Sequence, residues 1–178
     1  SGSGMTGGAV PVKGGVVMVT SRMNRILEID TENFVARVEP GVVVKDLHDA
    51  AARQGLFYPP DPASSPVCTI GGNVAECAGG PRAVKYGVTR DYVLGLKAVL
   101  ATGEVIRTGV RTAKGVAGYD LTRLLVGSEG TLAVVTEITL KLIAAPQRVK
   151  TMAAVFDSME TAARTVSAVI RDAVLPRC

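Results

Sequence analysis

Hydrophobic and polar positions alternate in blocks along the first third of the chain, and each block predicts one element. Residues 15–20 form a short apolar run that predicts a buried strand. Residues 26–30 and 34–39 each mix apolar and charged side chains, and the polar turn between them predicts a hairpin. Over residues 43–54 the apolar side chains recur at helical spacing, and Gly55 is a favourable residue just beyond a helix end.

The middle of the chain continues this alternation of strands and helices. Residues 93–100 and 104–107 are β-prone and flank a short glycine-containing turn, which predicts a second hairpin. Asp120 is a suitable N-cap for a short helix over residues 121–126. Residues 131–143 then have the pattern of a long strand.

Pro146 marks a boundary in the pattern. After it, residues 151–156 are β-prone, and the polar residues 157–160 open an amphipathic helix that extends to about Val174. A strand followed directly by a helix predicts the start of a second domain. Because the first residue is not Met, we expect the chain to be a fragment of a longer protein; the alternative is that residues 1–4 are a cloning remnant.

Composition limits the classes of function. The chain has 178 residues, of which 47% are hydrophobic and 20% charged, enough for one good core or two small ones. A net charge of +4, without a basic stripe or stacking aromatics, does not favour nucleic acid. Three cysteines without a CxxC pair argue against a disulfide framework and a zinc site, so a reducing cytoplasm is the expected compartment. No apolar run reaches the ~18 residues of a membrane span.

The most informative segment is the glycine-rich run over residues 69–80, which follows a proline-rich turn at residues 58–66. Without Cβ atoms a backbone can approach a ligand closely, and consecutive N–H groups can then bind a phosphate. The run lacks the GxGxxG fingerprint between a strand and a helix, and the chain has no P-loop motif. It therefore predicts a pyrophosphate cradle of another kind, with tight turns as the alternative explanation.

Six motifs occur in a fixed order along most of the chain. They are GSGMTGGAVP at residues 2–11, PDP at 60–62, TIGGNVAECAGG at 69–80, KYG at 85–87, GYDL at 118–121 and GSEGTL at 127–132. In this order they resemble the FAD-binding domain of the vanillyl-alcohol-oxidase type, also called PCMH-type. The nearest branch contains the FAD-linked subunit of glycolate oxidase and the D-lactate and D-2-hydroxyglutarate dehydrogenases.

The resemblance implies an α+β fold, in which a mixed sheet with flanking helices forms a type-2 FAD-binding domain. Residues 1–147 would be that domain without its first segment. Residues 148–178 would be the beginning of the substrate domain, or cap domain.

The resemblance also implies which residues hold the cofactor. Two loops would embrace the FAD pyrophosphate, and further residues would follow the ribityl–phosphate region and line the adenine-ribose end. The implied residues are Gly2, Ser3, Gly4, Met5, Thr6 and Gly7 in the first loop, Pro60, Asp61, Thr69, Gly71, Gly72, Asn73 and Gly79 in and around the second, Gly87 and Thr89 along the ribityl–phosphate region, and Glu129, Gly130, Val134 and Ile138 at the adenine end.

Two properties of these loops bear on the chemistry. Neither loop contains Lys or Arg, so backbone dipoles would have to attract the pyrophosphate. Related flavoenzymes sometimes attach FAD covalently through a His in the first loop, which here has none. The expected cofactor is therefore noncovalent FAD.

Some polar residues near the motifs also have ordinary explanations. His48 is the only histidine, and on a predicted helix it is more often a surface or partly buried group than a catalyst. A packed, unreactive thiol is the better interpretation of Cys77. Asp61 could stabilise the proline turn and nothing more, and Glu129 could either bind a ribose hydroxyl or cap a turn.

The activity of the family implies an FAD-dependent dehydrogenase of 2-hydroxy acids such as glycolate or D-lactate, in which a hydride passes from the alcohol carbon to the flavin. The metal- and substrate-binding residues of the family lie in the cap domain. We therefore expect no catalytic residue, no metal site and no turnover from these residues alone. Expected partners are the 2-hydroxy acid and an electron-transfer subunit, with neither nucleic acid nor a membrane span. The alternatives are a non-catalytic FAD-binding or scaffold subunit and an enolpyruvate-reductase-type flavoenzyme.

Overall fold

The computed structural model of the protein describes residues 1–112, 114–174 and 176. Its strands are β1 (Ile26–Asp30), β2 (Val35–Val38), β3 (Leu56–Phe57), β4 (Val93–Leu100), β5 (Val105–Gly109), β6 (Ala133–Lys141) and β7 (Ile143–Ala144). Its helices are α1 (Val44–Ala52), α2 (Ile70–Glu76), α3 (Ala83–Tyr86), α4 (Leu121–Leu125) and α5 (Met159–Arg171), with one 3₁₀ turn at Thr89–Asp91.

The main sheet has five strands in the order β1-β2-β6-β4-β5, and each neighbouring pair is antiparallel. The short strands β3 and β7 form a second antiparallel pair. The α+β class is confirmed. The sequence-based expectation was a mixed sheet, whereas the pairings among the described strands are all antiparallel. None of the helices in the described ranges has the length and apolar character that a membrane crossing requires.

Both predicted hairpins are confirmed as β1–β2 and β4–β5. In the first, the carboxylate of Asp30 accepts from the backbone N–H of Asn33 at 2.9 Å, which closes the turn locally. The predicted helix over residues 43–54 is α1, with Gly55 at a φ of 71° beyond its end. Asp120 caps α4 by accepting from the N–H of Arg123 at 2.9 Å.

The core lies on one face of the main sheet. Ile138 and Leu140 of β6 are fully buried and belong to one cluster with Leu47 of α1 and Ile70 of α2. On the opposite face ion pairs cross the strands, as where Arg37 contacts both Glu28 and Glu137 at 3.2 Å. This division gives the alternation of apolar and charged residues in the strands its physical reason.

Two predicted strands are wrong. Residues 15–20 and 151–156 contain no strand, and Val16 and Val155 are each 98% exposed. A strand exists only when its backbone pairs with another, and neither segment has such a partner in the part of the chain that the structure describes.

The predicted last helix is confirmed as α5. Ser158 caps it by accepting from the N–H of Thr161 at 3.2 Å. It ends at Arg171 rather than near Val174, and it buries none of its residues. Cys178, the third cysteine of the sequence, lies outside the described residues.

The position of β6 in the centre of the sheet predicts which of its residues carry stability. Ile138→Ala leaves a cavity in the core and is expected to lower the free energy of unfolding by about 2–5 kcal/mol. Val134→Ala in the same strand is the matched control, because Val134 is 38% exposed, and its effect should stay below about 1 kcal/mol. Urea unfolding measures both, and equal losses would contradict this assignment of the core.

Candidate functional site

A groove of about 770 Å³ lies between the N-terminal loop and helix α2, and we call it the glycine groove. Three separate segments and one turn residue form its walls. The N-terminal segment contributes residues 1–5, 8 and 9, and the proline-rich segment contributes residues 62–64 and 68. The glycine-rich run contributes residues 69, 72, 73, 75, 76 and 78, and the turn residue is Glu129. The predicted cofactor residues that line it are Gly2, Ser3, Gly4, Met5, Thr69, Gly72, Asn73 and Glu129.

A second cavity, of about 470 Å³, lies beside α4. Its lining includes Arg90, Asp91, Asp120 and Arg123, and none of the predicted cofactor residues. Arg123 is already paired there with Asp120 at 3.5 Å. The glycine groove is therefore the better candidate for a cofactor site.

The glycine-rich run begins as a helix and not as the predicted loop. Thr69 precedes α2, and Ile70 and Val74 face the core one helical turn apart. The N–H groups of Ile70 and Gly71 donate to the carbonyls of Val42 and Pro40, each at 2.8 Å. These bonds to a distant segment hold the start of the helix, and no local pattern reveals them.

The two adjacent glycines of α2 have different surroundings. A Cβ on Gly71 would come within 2.5 Å of the Pro40 side chain, so Gly71 is required by packing. A Cβ on Gly72 would meet nothing closer than Thr69 Oγ1 at 3.5 Å, and Gly72 borders the groove. Its N–H donates to that hydroxyl across a long 3.4 Å. Gly72 therefore offers the groove an N–H group that the protein satisfies only weakly.

The N-terminal loop provides further backbone donors. Within the described chain, no backbone N–H from residue 2 to residue 8 donates to a protein acceptor. Gly2 and Gly7 have φ of 71° and 73°, which L side chains rarely adopt. A Cβ on Gly4 would lie 3.5 Å from Oε1 of Glu76, so the loop passes close to α2. Thr6 and Gly7 belong to this loop but do not line the groove.

The electrostatics of the groove depend on dipoles rather than on cations. Among the described residues that line it, Glu76 and Glu129 are the charged side chains, and none is Lys or Arg. Asn73 is 3% exposed, and its side-chain Nδ2 has no hydrogen-bond partner within the described structure. An unsatisfied buried donor beside a groove is costly unless a ligand or water completes it. Asn73 thus fits a ligand rich in acceptor oxygens.

The turn at residues 127–130 closes the far side of the groove. The N–H groups of Gly127 and Glu129 donate to the carbonyls of Val74 and Ala75 at 2.8 and 2.9 Å. Gly127 and Gly130 have φ of 86° and 73°, and Glu129 itself has φ of 55°. Docking of this turn on the end of α2 brings Glu129 to the groove, whereas Gly130 does not line it.

The proline-rich turn forms one wall of the groove, but only some of its residues line the groove. Pro60 is buried, and its carbonyl accepts from Nε2 of His48 at 2.9 Å. Asp61 pairs with Arg82 at 3.0 Å. A Cβ on Gly80 would clash with the Asp61 carbonyl, so this glycine permits the close approach of the two segments.

The other predicted cofactor residues lie outside the groove. Thr89 is fully buried and its hydroxyl donates to the Ala78 carbonyl at 2.7 Å, while Gly79 and Gly87 lie in the chain between these two residues. Val134 is partly exposed on β6, and Ile138 belongs to the core. The geometry therefore brings together parts of the two glycine segments and Glu129. It leaves Gly79, Gly87 and Thr89 outside the groove.

Some residues of the groove were missed by sequence reasoning. They are Ser1, Gly8, Ala9, Pro62, Ala63, Ser64, Cys68, Ala75, Glu76 and Ala78. Helical spacing would have found Glu76, which follows Gly72 by one turn on the same side of α2. Residues 62–64 and 68 line the groove because the proline-rich turn folds back on it, for which the sequence has no signal.

Two glycine segments around one groove suit a phosphate-containing ligand, because backbone N–H groups can approach it closely. A family model described as FAD binding domain matches residues 1–109, and the chain belongs to this family. Its cofactor is FAD. The unsatisfied Asn73 amide and the free N–H groups of the first loop suit the acceptor oxygens of a pyrophosphate.

Comparisons with individual proteins agree with this family. The glycolate oxidase subunit GlcD of Bacillus subtilis (strain 168) is 54% identical over 99% of this chain and 37% of its own length. A D-lactate dehydrogenase of Anaerostipes hadrus is 48% identical over 92% of this chain and 34% of its own. A solved alkyldihydroxyacetonephosphate synthase superimposes on 98% of this chain with a TM-score of 0.84 at 28% identity, covering 34% of that enzyme. The chain thus spans little more than a third of its relatives.

The contrast between the adjacent glycines is testable. Gly71→Ala is expected to lower the free energy of unfolding by about 1–3 kcal/mol, because its Cβ overlaps Pro40. Gly72→Ala should keep or slightly raise the free energy of unfolding, because Ala favours a helix by about 1 kcal/mol over Gly. The same substitution should weaken FAD binding at least about tenfold, because Gly72 borders the groove. Urea unfolding and titration of apoprotein with FAD measure the two effects. Equal FAD affinity in Gly72→Ala and wild type would refute a cofactor-facing Gly72.

Proposed function

We propose that the full-length protein is an FAD-dependent dehydrogenase of 2-hydroxy acids of the glycolate or D-lactate type. The observation that carries this proposal is the 54% identity to a glycolate oxidase subunit over 99% of this chain. When bound, FAD supplies the acceptor for the hydride that leaves the alcohol carbon.

In this proposal the residues of the chain bind and orient the cofactor. The N–H groups of the first loop and of Gly72 donate to the pyrophosphate, and the Asn73 amide adds a side-chain donor. Glu129 accepts from a ribose hydroxyl at the adenine end, as carboxylates commonly do in nucleotide sites. The remaining residues that the resemblance implies act by holding these groups in place.

We also propose that residues 1–147 form the cofactor domain and that residues 148–178 begin the substrate domain. Helix α5 supports the division, because it is amphipathic yet buries none of its residues against the cofactor domain. No cluster of three or more His, Cys, Asp or Glu residues suited to a metal occurs in the described ranges. The groups that orient the 2-hydroxy acid would then lie in the substrate domain.

The compartment and the partners are part of the same proposal. Cys68 and Cys77 are both free thiols, which suits a reducing cytoplasm. The similar protein of Bacillus subtilis is named as a subunit. We therefore propose an electron-transfer subunit as a partner of the full-length protein, beside the 2-hydroxy acid substrate.

The experiment for the function uses the purified full-length protein under anaerobic conditions. It should show a flavin absorption band near about 450 nm that bleaches on addition of glycolate or D-lactate. Malonate, a dicarboxylate without a hydroxyl group, is the matched control and should leave the band unchanged. A bound flavin that no 2-hydroxy acid reduces would overturn the dehydrogenase assignment and favour a non-catalytic FAD-binding subunit.

The linkage of the flavin has its own test. The first loop contains Ser3 and Met5 and no His, so we expect noncovalent FAD. Acid precipitation of the holoprotein should release all of the yellow chromophore into the supernatant. Flavin fluorescence that stays with the denatured protein band on a gel would contradict this expectation.

A further inference from the structure

One wall of the glycine groove is a loop that helix α1 holds at both ends. The loop comprises residues 59–68, and residues 62–64 and 68 line the groove. At its second end, the N–H groups of Val44 and Lys45 in the first turn of α1 donate to the carbonyls of Cys68 and Ser65 at 3.0 and 3.1 Å. These backbone bonds replace the side-chain cap that α1 lacks.

The first end of the loop has a different chemistry. Residues 59, 60 and 62 are prolines, which have no backbone N–H, so this half of the loop presents carbonyl groups but few donors. A buried carbonyl needs a donor from elsewhere. His48 of α1 provides it, because its Nε2 lies 2.9 Å from the oxygen of the buried Pro60.

The surroundings of His48 support this geometry. Its ring contacts the fully buried ring of Tyr58 at a centroid distance of 5.9 Å. Burial lowers the pKa of His48, so the imidazole is neutral at pH 7 and holds one proton. Since a carbonyl can only accept, that proton lies on Nε2 and the tautomer is determined by Pro60.

We propose that His48 is a positioning residue for the cofactor groove: its Nε2–H fixes the Pro60 carbonyl and thereby sets the wall at residues 62–64 against which FAD binds. His48 itself does not line the groove, so it acts through the loop and not on the cofactor. The inference rests on the proposed binding of FAD in this groove, and it does not depend on the substrate.

Two substitutions separate the hydrogen bond from the bulk of the side chain. Gln in His48→Gln carries an N–H donor at the position of Nε2, whereas Asn in His48→Asn carries it nearer the backbone, out of reach of Pro60. Asp46→Asn is the control, because Asp46 is exposed on the same helix and does not line the groove. All are made in the full-length protein, which is stripped of flavin and titrated with FAD while flavin fluorescence is followed.

We expect His48→Asn to raise the Kd for FAD about tenfold, His48→Gln to stay within about threefold of wild type, and Asp46→Asn to have no effect. Hydrogen exchange should accelerate at the amides of residues 63–65 in His48→Asn only. Thermal unfolding is measured in parallel. If His48→Asn does not fold, the test rests on His48→Gln, which must then keep the wild-type affinity for FAD and the wild-type exchange rates at residues 63–65.

Other outcomes overturn the proposal. Wild-type FAD affinity in His48→Asn would show that the bond to Pro60 is dispensable. Equal losses of affinity in His48→Gln and His48→Asn would show that the ring matters only through packing. A wild-type protein that binds FAD but oxidises no 2-hydroxy acid would refute the dehydrogenase and leave the assignment of His48 intact, so the two failures are distinguishable.

Discussion

The exchange of hydrogen bonds between residues 40–45 and residues 65–71 is the constraint on which the rest of the site depends. Pro40 and Val42 accept from the first amides of α2, and Val44 and Lys45 of α1 donate to the carbonyls of Cys68 and Ser65. Each helix thus receives from the other segment the partners that its own terminus lacks. The contact requires that residue 71 have no side chain, because the Pro40 ring occupies that space.

Once α2 is held in this way, the other walls of the groove follow from it. The carbonyls near its end accept from Gly127 and Glu129, which brings in the turn after α4. The proline-rich loop folds against its start, and the N-terminal loop passes close to Glu76. Segments more than a hundred residues apart in the sequence therefore meet around one seven-residue helix.

The charge distribution of the groove limits the ways in which it can bind an anion. Among the described residues that line it, Glu76 and Glu129 are charged and none is Lys or Arg, so an anionic ligand there would depend on oriented N–H groups rather than on a side-chain ion pair. Such a site suits a pyrophosphate, whose oxygens accept hydrogen bonds from backbone donors.

Local patterns in the sequence were sufficient for the elements whose hydrogen bonds are also local. The β1–β2 turn, closed by Asp30, the cap of α4 at Asp120 and the cap of α5 at Ser158 each lie within a few residues of their partners. The glycine-rich run by itself indicated only a phosphate cradle, because close approach of a backbone is a property of the residues themselves. FAD followed from the resemblance of the six ordered motifs to a known family, which the family model confirms. The strands expected at residues 15–20 and 151–156 failed, since an apolar run does not supply the second strand that it needs. Only the tertiary structure showed the different roles of Gly71 and Gly72 and the hydrogen bond from His48 to Pro60. Each of them depends on an atom that another segment of the chain contributes.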